Sequence, residues 1–148
     1  MKTVSIHLRR SIKIYRVSIS HAWKYNDEYY RLVEILNNAL NFKWCNHSDP
    51  KHDPLVDLCT PVGKQKMIQM LKNQIQGVNC VLVISGMYAA YREWIQKEID
   101  ISNDFYKPVI GIIPRGQERI PIEVQAIAKD MVRWNTDSII SAIRMYSI

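Results

Sequence analysis

Three cysteines, five glycines, six prolines and two phenylalanines are few for a chain of 148 residues, and each scarcity removes an option. Cys45, Cys59 and Cys80 form no CxxC pair, and an odd number of thiols at irregular spacing suggests reduced cysteines, not a disulfide framework. The one cluster with metal-ligand chemistry is Cys45, His47, His52 and Cys59, with Asp49 and Asp53 between them. Its successive gaps of one, four and six residues match no common zinc pattern, so a polar loop with Asp-Pro turns is expected there and no metal. Gly and Pro are scattered, which leaves no linker, and neither an internal repeat nor a low-complexity tract is present. No apolar run approaches the ~18–20 residues of a membrane span, and the opening MKTVSIHLRRSIKIYR has no apolar stretch of the secretory kind. A soluble, cytoplasmic protein is expected, with no membrane partner.

Acidic residues are missing from the first sixteen positions, where Lys2, Arg9, Arg10, Lys13 and Arg16 supply five of the six units of net positive charge. Subtracting those five from the 20 Lys and Arg leaves 15 against 14 Asp and Glu in the rest of the chain. That balance gives no basic stripe to track a phosphate backbone, so nucleic acid is not expected as a partner. Hydrophobic residues at 47% and charged residues at 23% are ordinary for a globular core, and the length suits one domain. Residues 1–12 read as a basic leader and 13–148 as a single domain.

Hydrophobic periodicity predicts alternating elements. Ile14–Ser20 reads as a strand, with a helix from Asp27 to about Leu40 and a brief strand at Phe42–Cys45. The stretch His47–Val62 carries three X-Pro steps and reads as a loop of the length that marks function or mobility. A helix follows at Lys64–Gln76, then Val78–Ser85 (VNCVLVIS), whose continuous apolar run is that of a strand covered on both faces. A long helix from about Ala89 to Phe105 leads to a second buried strand, Val109–Ile113. Beyond it, a connection at Arg115–Pro121 precedes a short helix at Ile122–Ala128, a strand at Met131–Trp134 and a helix at Asp137–Met145. Five strands alternating with helices predict an α/β fold, a flavodoxin-like open five-stranded parallel sheet with helices on both faces. Ligands of such sheets bind at the carboxyl ends of the strands.

Those ends carry Ser20-His21-Ala22-Trp23, the loop after Cys45, Ser85-Gly86-Met87 and Pro114-Arg115-Gly116. In the helix after Ser85, positions 93, 96, 97, 100, 103 and 104 face outward and are polar, while Trp94, Ile95, Ile99, Ser102 and Phe105 face inward. Glu98 falls on the inward stripe, one turn after Trp94. A carboxylate there is costly unless paired, so it is either a structural ion-pair member or a functional acid. Trp94 by periodicity alone is a core residue. Trp23 sits in a polar turn, with no periodic reason to be buried, and an aromatic near an acid suits stacking on a planar base.

Three segments resemble TIR domains, in the same order: VSISHAWKYNDEYYRL, VLVISGMYAAYREWIQKEI and KPVIGIIP. Trp23-Lys24-Tyr25, Asp53-Pro54-Leu55 and Trp134-Asn135-Thr136-Asp137-Ser138-Ile139 bring the likeness nearest to the TIR proteins of bacterial Thoeris anti-phage systems. His21 stands where Tyr is common, Ile95 where Cys often follows the Trp, and one extra residue separates Ser85 from Trp94. The resemblance implies cleavage of NAD at its nicotinamide-ribosyl bond, with NAD as substrate and no cofactor, and a cyclic ADP-ribose-type product that switches on a separate effector protein. It also implies self-association through TIR surfaces. Glu98 matches the catalytic position. Trp94 and Trp23 would shape the nicotinamide side, and Ser20, His21 and Ser85 would offer hydrogen bonds. Many TIR domains instead act as adaptors by assembly, and in that case Glu98 is structural. A flavodoxin-like FMN or phosphate binder fits less well, because SHAWKYND lacks the run of Ser, Thr and Gly whose amides cradle phosphate.

Overall fold

A computed structural model describes residues 13–20, 27–48, 57–116 and 119–148. The basic leader, His21, Trp23 and the centre of the Pro-containing loop lie outside the described residues. The strands are β1 (Ile14–Ser20), β2 (Lys43–Asn46), β3 (Cys80–Ile84), β4 (Val109–Ile113) and β5 (Asp130–Arg133). The helices are α1 (Asp27–Asn38), α2 (Pro61–Gln76), α3 (Ser85–Ala90), α4 (Arg92–Asp104), α5 (Ile122–Ile127) and α6 (Thr136–Tyr146). The strands form one sheet in the order β2-β1-β3-β4-β5, every pair parallel, which is the flavodoxin-like order.

Every residue of β3 and β4 is buried, as their unbroken apolar runs require of strands covered on both sides. The edge strands β2 and β5 have four residues each and are partly exposed. Right-handed crossovers put the leftward connection, α1, on one face and the rightward connections, α2, α4 and α5, on the other. The packing agrees, since α1 meets α6 and α2 meets α4. On the α1 and α6 side Tyr29, Leu32 and Leu36 are buried with Ile139, Ile140 and Ile143; on the other side Met67, Leu71 and Ile75 are buried with Ile95 and Ile99.

Alternation along the strands fixes which side chains share a face. Ser20 pairs with Val83, and Val83 with Gly111. A Cβ at Gly111 would overlap Met131 Sδ and sit 3.2 Å from Val124 Cγ1 of α5. Ser20, Val83 and Gly111 therefore face the α2, α4 and α5 layer.

Two helices differ from their sequence-based expectation. The helix expected at Ala89–Phe105 is two, α3 and α4, broken at Tyr91, where φ −132° and ψ 44° leave the helical region. The break lets Tyr88 bury its ring while its hydroxyl donates to Gln96 Oε1 at 2.7 Å. Helix α2 begins at Pro61, earlier than Lys64, because Thr60 caps it through a hydrogen bond from Gly63 N and Pro61 needs no amide partner in the first turn. This shortens the loop predicted at His47–Val62 from its C-terminal side. Near the opposite edge of the sheet, Asn79 accepts from Arg16 N and donates to the Ile148 carbonyl, both at 2.7 Å, so β1, the entry to β3 and Ile148 share one side chain.

Candidate active site

In a sheet of this order the chain departs in opposite directions from β1 and β3, and the gap between their carboxyl ends is the natural ligand crevice. Ser20 ends β1 and Ser85 follows β3 directly. Ser20 is 0% exposed, and its hydroxyl has no hydrogen-bond partner among the described residues. Burying an unpaired hydroxyl is unfavourable, and Gln74 Nε2 and Ser147 Oγ are buried in the same way elsewhere in the structure. Ser85 is also buried; its Oγ donates to the Ile112 carbonyl at 3.1 Å and ties the end of β3 to β4.

Helix α4 covers the face toward which Ser20 points. Glu98 is 1% exposed on its inner side, among Ile95, Ile99 and Ser102, which are also buried. The Ser102 hydroxyl donates to the Glu98 carbonyl oxygen at 2.6 Å, an i to i−4 bond that holds this turn of the helix. Trp94 lies one turn earlier, half-buried against the core, with Lys97 Nζ 5.7 Å from its ring centroid. Ser20 and the helix that carries Trp94 and Glu98 thus share one face of the sheet, and Ser85 stands at its carboxyl edge, while His21 and Trp23 lie outside the described residues.

A buried polar network beside this edge went unread in the sequence. The Ser48 hydroxyl accepts from Ile19 N at 3.0 Å and donates to Asn46 Oδ1 at 2.6 Å. The Tyr29 hydroxyl donates to the Ser48 carbonyl and accepts from Asn46 Nδ2, both at 3.0 Å. These bonds stitch α1 and the turn after β2 to the residue preceding Ser20. In the sequence Tyr29 shares the helical spacing of Leu32, Val33 and Leu36 and so reads as an apolar core position, and nothing in the pattern distinguishes Ser48 from a solvated loop residue. A cleft of about 550 Å³ also opens at the carboxyl edge, lined by Arg31, Arg115, Trp134 and Asn135 among others. It lies on the α1 and α6 side, across the sheet from Glu98.

The family model for the TIR-like domain of Thoeris protein ThsB matches residues 19–119. The chain belongs to that family. The matched segment of this TIR-like domain includes Ser20, Ser85, Trp94 and Glu98 and stops before β5 and α6. Among curated proteins nothing matches. Among solved structures, the Clostridium botulinum CMP N-glycosidase BcmB is similar, with a TM-score of 0.51 and 8% identity over 88% of this chain and 99% of that one. At that identity the likeness concerns the fold. Among the described residues no helix is long and apolar enough to cross a membrane.

Proposed function

We propose that this TIR-like domain cleaves the N-glycosidic bond between nicotinamide and ribose in NAD, with Glu98 as the catalytic residue. The observation that carries the reading is a carboxylate 1% exposed, on the inner side of α4, the helix over the sheet face toward which Ser20 points, within the segment matched to the ThsB family. That the BcmB scaffold of the same fold is an N-glycosidase adds support at the level of architecture.

The nicotinamide of NAD is cationic and leaves neutral, taking the electron pair of the C1′–N1 bond, so no strong general acid is needed. What the reaction demands is stabilisation of the positive charge that grows on the ribose. A fixed carboxylate in a water-poor site supplies that stabilisation without reorganising as the bond breaks. Trp94 offers an aromatic wall, and the Ser20 hydroxyl, buried and without a partner among the described residues, would bind the ligand once the crevice opens to admit it. Water adding at C1′ and losing a proton to solvent gives ADP-ribose. Attack by a ring nitrogen or hydroxyl of the same molecule gives a cyclic isomer, the kind of product that would signal to a separate effector protein. Self-association of the domain belongs to the same reading.

The test is chromatography with mass detection of NAD incubated with the purified protein, with and without crowding agents that promote assembly. Nicotinamide release with ADP-ribose or its cyclic isomer is expected. Intact NAD in every condition, from protein that is folded and self-associates, would replace this reading with that of an adaptor.

A further inference from the structure

The cleft on the α1 and α6 side is independent of the Glu98 site, and most of what lines it comes from outside the mechanism above. Its volume of about 550 Å³ lies within the ~300–1,000 Å³ typical of small-molecule sites. It continues along α1 into a further hollow of about 370 Å³ that shares Arg31 and Trp134. Three kinds of chemistry meet in it. The first is a pair of uncommitted guanidinium groups. Arg16 is bound to the Gly77 carbonyl, Arg92 to Glu123 and Arg144 to the Asn41 carbonyl, whereas Arg31 and Arg115 have no hydrogen-bond or ion-pair partner among the described residues. The second is the indole of Trp134, half-buried and packed against the core, which gives a fixed flat surface instead of a mobile one. The third is a pair of carboxylates, Glu28 in the first turn of α1 and Asp137 in the first turn of α6.

No single simple ligand class suits all three except one with several parts. A bare anion would be attracted by the arginines and repelled by Glu28 and Asp137. A neutral aromatic would leave both guanidinium groups unused. A molecule with an anionic end, hydroxyl donors and a planar ring satisfies every wall: phosphate on the planar forks of arginine, ring on indole, sugar hydroxyls donating to carboxylate. Asn135 is not free to contribute its side-chain oxygen, because that atom caps Ser138 N at 3.1 Å. We propose that this cleft is a second ligand site of the domain and that it binds a nucleoside phosphate.

The proposal is tested on the full chain labelled with ¹⁵N, by following the four tryptophan indole N–H signals during titration with ADP, the Trp134 signal being assigned from a Trp134→Phe variant. ADP is expected to move the Trp134 signal saturably. Arg31→Ala and Arg115→Ala, both at exposed positions, should each weaken that response by tenfold or more. Adenosine and pyrophosphate should each bind more weakly than ADP. Glu98→Gln should leave the Trp134 response unchanged, so failure of NAD cleavage and failure of this site are read separately. A Trp134 signal unmoved by millimolar ADP, or a response indifferent to both arginine substitutions, would overturn the proposal. Pyrophosphate binding as tightly as ADP would refute its nucleoside part.

Discussion

Replacing Glu98 by Gln removes one negative charge from a site that is 1% exposed while keeping the size and most of the hydrogen-bonding capacity of the side chain. A unit charge about 4 Å from a developing positive charge, at an effective dielectric constant near 20, contributes about 4 kcal/mol. The amide dipole of Gln retains part of that, so a loss of roughly 3–4 kcal/mol is expected, or ~10²–10³-fold in rate. The assay is NAD consumption by chromatography with mass detection, under one activating condition for both proteins, with thermal unfolding measured in parallel. If Glu98 were a structural ion-pair member, breaking the pair would instead cost ~3–5 kcal/mol of stability. In a chain of this length that lowers Tm by roughly 10 °C. Catalytic Glu98 predicts lost turnover with Tm changed by a few degrees at most. Turnover near the parent rate, or a large fall in Tm with activity retained below it, would refute the reasoning.

Ser20→Ala should leave stability unchanged or slightly raised, because a buried hydroxyl without a partner contributes only its desolvation cost, while KM for NAD rises; urea unfolding and steady-state kinetics read the two effects. Tyr29→Phe should cost about 1–3 kcal/mol in urea unfolding, because it removes one hydrogen bond each from the buried Ser48 carbonyl and Asn46 Nδ2, and amide exchange at Ile19 should quicken. Burial pushes the Cys80 thiol up from its ordinary value near 9 to about 11. The neutral thiol is therefore favoured by folding, so its contribution is complete below pH 9 and is lost as pH rises from about 9 to 11, a fall of about 3 kcal/mol that a Cys80→Ala variant should lack.

The central strands were legible in the sequence because VNCVLVIS and VIGII are apolar without alternation, which only a doubly covered strand tolerates. Glu98 was legible for the opposite reason: it is an acid on a stripe that otherwise reads as core, and its burial matches that position. The break at Tyr91 was not, since neither Gly nor Pro marks it and the apolar spacing runs through. Ile101 is buried although it lies off the predicted inward stripe, because α4 packs on α2 as well as on the sheet. The Tyr29–Asn46–Ser48 network and the Arg31–Arg115–Trp134 cleft were invisible for a different reason. Their members are scattered along the sequence and acquire meaning only when crossovers bring them together, which a window of one or two turns cannot register.

The pairing of β1 with β3 has a consequence for the order in which the chain can fold. Val17 is matched to Cys80, and Ser20 to Val83, across some sixty residues that include α1, β2 and α2. At a synthesis rate of ~5–20 residues per second, β1 waits several seconds on the ribosome with only the four-residue β2 as a partner. A two-stranded ribbon of that size is marginal in water. The end of β1 therefore gains its fixed position when β3 inserts beside it, and the crevice at Ser20 and Ser85 is among the late features of the nascent chain: until the middle of the sequence has emerged, neither wall of it exists.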